Sequence, residues 1–400
     1  MDKLSSKHFM FFILGCSMIA LRSYSSIFVR LGGRDTWILA FFASIIFIII
    51  TMYLLNICIK SQTFNIKDIF FSSSNWLGQI YMFIFAVGLF SCAVESASVE
   101  ASSIHTNFFL STPNWYCLLF LIIPAAYILT KQMNTILILV IITVTLTLVG
   151  DVALLALVSK YLDFNYLLPI LGEGMTKGNW ICIFLVLGSL SSVAISFPFL
   201  KFLTKEKGLK TDVSLSLIIC VSLVISSLIS IITFFGPARA GNIFYPEYVE
   251  AQRVQIAHFL EFGEIFYIFR SVCMWFIKYL LSSYGILLLY EDKIKNKKIF
   301  IDIEINTSNS PVFVSYFFIK VITDPITPKK PAIIINIYST GNLFASNIAV
   351  IKLSETMYSN LIIGAIFCVN SLLNSSIRYP IINAGSKIKI AIIYLWKINT

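Results

Sequence analysis

The sequence predicts an all-α, multi-pass membrane protein, and three observations carry that reading. Only 12% of the 400 residues are charged while 58% are hydrophobic, and mean hydropathy is +0.86; soluble domains carry roughly 25% charged residues. Runs of about twenty apolar residues follow one another, each long enough to cross a hydrocarbon core of roughly 30 Å. The runs are continuous rather than alternating, which argues against a β-barrel. The lysines sit mostly in short loops on alternate sides of these runs, so the net charge of +10 reads as membrane topology and not as a nucleic-acid surface.

Eight spans are expected before residue 300, at 9–29, 37–59, 77–97, 114–130, 135–158, 180–200, 213–235 and 265–290. One set of connections holds Lys3, Lys7, Lys60, Lys67, Lys131, Lys201, Lys205, Lys207, Lys210 and the cluster Lys293, Lys295, Lys297 and Lys298. The other set holds Arg30, Arg34, Lys160, Lys177, Arg239 and Arg253, diluted by acids. The richer side is expected to be cytoplasmic, which places the N-terminus inside. The first apolar run is long and followed by others, so it is read as a span and not as a cleavable signal.

The spans are not uniform. The first contains Gly15, Cys16, Ser17 and Arg22. The fourth is short and holds Pro124. The sixth reads GSLSSVAISFPF, with Gly188, Ser189, Ser191, Ser192 and Pro198 in place of bulky aliphatics. Such interruptions are tolerated where the loosened backbone faces protein or a cavity. In transporters they build a central binding site, and elsewhere they let helices pack closely. Both readings stand for Gly15–Ser17 and Gly188–Ser192.

Charges inside spans cost about 2.5–3.5 kcal/mol each at a helix centre. Lys278, near the middle of the eighth span, is the hardest to explain by snorkelling. It is expected either to couple charge to function or to pair structurally with Asp151 or with backbone carbonyls. Asp151, near the end of the fifth span, is a second charge-coupling candidate with an interfacial alternative. Glu95 and Glu100 close the third span and are expected to face water. The segment 247–263 reads as an amphipathic helix, with Val249, Ile256 and Leu260 on one face and Glu247, Glu250, His258 and Glu261 on the other. It is either a solvated loop helix or a lid over an outer cavity, with Glu250, Arg253 and His258 as its polar residues.

The eight cysteines, Cys16, Cys58, Cys92, Cys117, Cys182, Cys220, Cys273 and Cys368, lie scattered in apolar segments without a CxxC pair. They read as small buried side chains. The three histidines are too dispersed for a metal site. No nucleophile–base arrangement and no phosphate-binding glycine loop is found, so neither an enzyme nor a cofactor is expected. Residues 301–400 change character, with roughly a quarter Ile and a tenth Asn and no clean span. Their best span candidates are 332–351 and 361–373. Three regions follow: a membrane domain at 1–290, a basic cytoplasmic connection at 291–310, and an atypical tail at 311–400.

Four phrases, in order, carry a resemblance: RDTWILAF (34–41), FFLSTPNW (108–115), NYLLPILGEGMTKG (165–178) and YPEYVEAQRVQIAHFLEFGEIFYIFRSVCMWFIKYLLSSYGI (245–286). Together they resemble the B-subunit family of spore germinant receptors, also called spore germination permeases, over about residues 5–290. The family belongs to the amino acid–polyamine–organocation superfamily. The resemblance implies an inverted-repeat bundle of two five-helix repeats, with the first and sixth spans unwound at the midplane. It also implies binding of a small germinant, typically an amino acid, in the inner membrane of the bacterial spore, together with A-type and C-type receptor subunits. In this fold a cation in the eighth span can stand in for a sodium ion, and the connection between the seventh and eighth spans often covers the outer entrance.

The sequence also departs from the family pattern. Ten spans are usual, and nothing after about residue 291 matches, so the ninth and tenth spans are expected to be degenerate or replaced by a frameshifted segment. The sixth span has no acid where the family often carries Gly-Glu, and NTILIL lacks a common basic residue. Receptor subunit, secondary amino acid permease and truncated inactive copy all remain open. An intramembrane carboxylate able to cycle a proton would separate the second from the first.

Overall fold

Eight apolar segments fold, in a computed structural model, into one helical bundle whose polar residues are turned inward. The structure describes residues 4–72, 74–172, 174–203, 208–254 and 262–291, all within the first of two units, Met1–Ile362. The basic connection, the atypical tail, Cys368 and His258 lie outside the described residues, apart from Glu291 at the connection's edge.

Among the described residues the regular structure is helical, apart from one isolated parallel bridge between Leu4 and Leu203. The helices are α1 (Ser6–Ser17), α2 (Ala20–Ser23), α3 (Ser25–Gly32), α4 (Thr36–Ser61), α5 (Ile66–Phe71), α6 (Asn75–Asn107) and α7 (Asn114–Leu129). They continue with α8 (Met133–Val158), α9 (Lys177–Leu190), α10 (Leu209–Phe235), α11 (Pro237–Ala240), α12 (Pro246–Arg253) and α13 (Phe262–Leu289). Six of the described helices are long and apolar enough to cross a membrane, those containing α4, α6, α8, α9 with its continuation, α10 and α13. The other two expected spans differ for local reasons. The fourth is α7, 16 residues with Pro124 inside it, and the first is broken into α1, α2 and α3.

α4 shows why an all-apolar helix still has two sides. Leu39, Ala40, Ala43, Ser44 and Phe47 are buried, while Phe41, Phe42, Ile45, Ile46 and Ile49 are exposed. The inward stripe carries small residues that admit close neighbours, and the outward stripe carries bulk for lipid. α13 is the central helix: 83% of its most apolar window is buried, against 39–56% in the other five. It packs on α6, α8, α12 and the segment that follows α9.

Both interrupted spans break where small residues stand. In the first, Ser17 donates its hydroxyl to the Ile13 carbonyl at 2.6 Å, α1 ends there, and Tyr24 leaves the helical region at φ −121°, ψ 41°. Ser17 and Cys16 are buried in this last turn. In the sixth, α9 ends at Leu190 and the chain tightens into a 3₁₀ helix, Ser191–Phe202. Ser191, Ser192 and Ser196 each donate to the carbonyl three residues back, at 2.6, 2.9 and 2.7 Å. Twelve residues of 3₁₀ helix is well beyond the usual three or four and marks a hinge or a sequence under strain.

Gly15 lies where branched side chains of neighbouring helices press against the backbone of α1. A Cβ added there would stand 2.9 Å from Ile277 Cγ2 and 3.6 Å from Val144 Cγ2. Gly15→Val is therefore expected to lower stability by about 1–3 kcal/mol through overpacking, read as a lower melting temperature in detergent. An unchanged melt would show that α1 and α13 have room to part.

Candidate functional site: a polar hub at the break in the first span

Three consecutive residues, Arg22, Ser23 and Tyr24, occupy the short α2 and the kink after it. Each reaches a different helix. The Arg22 guanidinium donates two bonds to Asp151 of α8, Nη1 to Oδ2 at 2.7 Å and Nη2 to Oδ1 at 2.9 Å, and its Nε donates to Glu247 of α12 at 3.1 Å. Arg270 of α13 donates to the same two acids, to Asp151 at 3.0 Å and to Glu247. Ser227 of α10 also donates to Glu247. The four charged side chains are at most 4% exposed. Two positive and two negative charges cancel, which is how four charges survive burial together.

Ser23 accepts the Trp275 indole N–H at 3.1 Å. Tyr24 donates its hydroxyl to Glu95 of α6, and Lys278 donates to the other oxygen of Glu95 at 2.8 Å. The Lys278 ammonium also lies 4.9 Å from the centre of the Trp275 ring. Lys278 and Glu95 are 0% and 2% exposed.

Several sequence expectations are corrected here. Lys278 pairs with Glu95 and not with Asp151, whose two oxygens are held by Arg22 and Arg270. Asp151 is buried rather than interfacial. Glu95 and Glu100 do not face water, because α6 runs on to Asn107, well past the expected end at 97. Glu100 is buried and accepts the Ser271 hydroxyl at 2.8 Å. The predicted helix at 247–263 is described only as α12, which closes at Val254 in extended conformation. Its acidic face is turned inward: Glu247 and Glu250 are buried while Arg253 is exposed.

The residues expected to line a ligand site lie on both sides of the breaks. Gly15 and Gly188 are buried, Ser17, Ser191 and Ser192 spend their hydroxyls on their own helices, and Cys16 is fully buried. The buried hydroxyls of Ser25 and Ser189 have no partner among the described residues, and buried polar groups without partners call for an explanation. Sequence reasoning noted Arg22 in the first span but missed Tyr24, Glu95 and Glu247 as hub residues. The available signal was the run LRSYSS (21–26), polar in the middle of an apolar span.

Glu250 stands outside the spans, on α12. Ser230 of α10 donates to it at 2.5 Å. Burial pushes its carboxyl up from 4.5 to about 8, and Glu247 adds to the rise. The Ser230 hydroxyl and the charges of Arg270 and Arg22 oppose it. The folded state therefore favours the protonated form. The stability this group contributes is whole below its ordinary value of 4.5 and is lost as pH rises through about 8. Glu250→Gln is expected to flatten the melting-temperature profile across that window, with the largest gain over wild type at its alkaline end. Parallel profiles for the two proteins would rule the assignment out.

The comparisons bear on this arrangement. No curated protein matches the chain. Among solved structures, two mutant forms of the manganese transporter of Eremococcus coleocola align at a TM-score of 0.50 and 11% identity, covering 98% of this chain and 92% of theirs. At that identity the likeness speaks for the fold alone, an all-helical membrane bundle. The model of the spore germination protein family matches residues 4–325. The chain belongs to that family. The match extends some way past residue 290, where the resemblance read from the sequence phrases ends. Within the spore germination protein family the hub thus sits in a multi-pass, permease-like membrane protein and not in an enzyme. Among the described residues no group of three or more His, Cys, Asp or Glu is placed to hold a metal ion.

Proposed function

We propose that this chain is the B-type subunit of a spore germinant receptor. It binds a small germinant, an amino acid, between the broken first span and the sixth, and passes the event to A-type and C-type partner subunits. It works in the inner membrane of the spore with its N-terminus cytoplasmic, an orientation supported by the lysine-rich loops. The observation that carries the reading is the family match over residues 4–325 joined to a break in the first span that is held by buried charges. α2 packs on α9 and α12. Ser25 and Ser189, buried without partners, supply hydroxyls that a germinant could satisfy. Binding then shifts the balance between two arrangements of the first span, and the differential contact made in each is what partners read. The two five-helix repeats belong to this proposal as well.

A secondary amino acid permease is the second reading. It is favoured by the buried carboxylates Glu95, Glu100 and Asp151, since proton relays in transporters use such groups. The sixth span lacks an acid, and these three stand instead on α6 and α8. Deleting the gene tests both. Spores that stop germinating with one amino acid while growing cells still take it up support the receptor. Lost uptake with normal germination supports the permease. No change in either supports an inactive copy with an altered tail.

A further inference from the structure

The bundle end that carries α12 also holds a cleft that the hub does not use. Its volume is about 580 Å³, and it is lined by Arg30, Arg34, Asp35, Pro169, Thr176 and Asn179 among others. That volume lies within the range of small-molecule sites, roughly 300–1,000 Å³. The sequence builds it with GGRD. Gly33, at φ +58°, permits the sharp turn from α3 into α4, and the turn sets Arg30 and Arg34 on either side of it. None of Arg22, Tyr24, Glu95, Asp151, Glu247, Arg270 and Lys278 is among the residues that line it, so the cleft is not the hub.

The charges in the cleft are only partly used. Arg30 Nε donates to the Gly241 carbonyl at 3.3 Å, and Arg34 Nη1 to the Leu168 carbonyl at 2.6 Å. A guanidinium has five N–H donors, so each arginine keeps donors beyond those bonds. Asp35 is 6% exposed. One of its oxygens accepts the Leu171 amide at 2.8 Å, its hydrogen-bond partner among the described residues. Among the described residues, two guanidinium groups and one carboxylate thus share one small polar space. A dianion such as phosphate meets repulsion from Asp35. A lone cation meets repulsion from both arginines. A small molecule carrying a carboxylate and an ammonium a few ångströms apart meets neither.

We propose that this cleft is a second site that binds a small zwitterion, its carboxylate on Arg30 and Arg34 and its ammonium on Asp35. It stands apart from the proposed germinant site and does not depend on a role in germination. The headgroup of phosphatidylethanolamine shares this chemistry; we assign the cleft to a free amino acid, because it lies among loop residues at a helix end.

The test uses the full chain in phosphatidylcholine nanodiscs, with glycine, acetate and methylammonium as separate probes followed by saturation-transfer NMR. Glycine is expected to give the strongest signal and methylammonium the weakest. Arg34→Gln should weaken glycine about tenfold, the loss of one charge-assisted contact, and Asp35→Asn should bring glycine down to the level of acetate. Arg30→Gln gives an independent reading if Arg34→Gln folds poorly, as judged by thermal unfolding. A glycine signal unchanged in both arginine variants overturns the site. Unchanged glycine binding in Asp35→Asn overturns the zwitterion. Loss of the glycine signal when phosphatidylethanolamine is added assigns the cleft to the headgroup and overturns the free ligand. Because the readout is binding to purified protein, it can fail while the germination role stands, and the reverse.

Discussion

Lys278→Met is expected to cost about 3–5 kcal/mol, the penalty for leaving one charge of a buried pair alone. Against a total stability of roughly 5–15 kcal/mol that is a large share, and the melting temperature should fall clearly. The cause is local. Lys278 is fully buried, and its ammonium stands 2.8 Å from Glu95; without it a carboxylate is left in the bundle with, among the described residues, the Tyr24 hydroxyl donating to it. Replacing both members, with Glu95→Leu added, should restore most of the loss, because a buried pair exchanged for apolar side chains is often neutral or stabilising. Melting temperatures of the four proteins complete a double-mutant cycle. Additive losses would mean that the two side chains do not act as a pair. The restored double variant then asks the functional question. If it folds and its spores respond as wild type, the pair is structural; if it folds and they do not, charge within the bundle is part of the response.

Much of this was legible in the sequence, and the parts that were not share one physical cause. Spans reveal themselves by length and composition, so the eight segments were found near their observed positions. The breaks were legible too, because Gly15, Ser17, Gly188 and the serines after it are poor material for a lipid-facing helix. Partners of buried charges were not legible, since pairing is a matter of distance in space. Arg22 and Glu247 are 225 residues apart in the chain, and Lys278 and Glu95 are 183 apart. The helical wheel of 247–263 could not tell that, in the part described as α12, Glu247 and Glu250 turn inward. That depended on two arginines contributed by other helices. Glu95 and Glu100 were placed in water because the apolar run ends near 97, whereas α6 continues through SASVEASSIHTN to Asn107 with its polar side buried against α13.

The same quartet leads to the second large effect. Arg22→Gln removes the side chain that ties α12 and α8 to the break in the first span, and leaves Asp151 and Glu247 facing Arg270 alone. A loss of about 3–5 kcal/mol is expected, with a distinct spatial signature. Hydrogen–deuterium exchange should rise together in the α12 stretch around Glu247 and in the stretch around Arg22, although the two are remote in sequence. A rise confined to residues near 22 would show that α12 is held by its other contacts and is not latched by the quartet. Lys201→Gln is the control. Its bridge to Glu291 is shorter than those of Arg22, at 2.5 Å, but the Glu291 side chain is 63% exposed, so its removal should be worth no more than about 1 kcal/mol. Salt separates the two cases further. Exposed pairs weaken as ionic strength rises while buried ones are little screened, so the difference between wild type and Arg22→Gln should persist in high salt. If it does, α12 and the break in the first span are held by one buried network, and a ligand that reshapes the break is expected to move α12 with it.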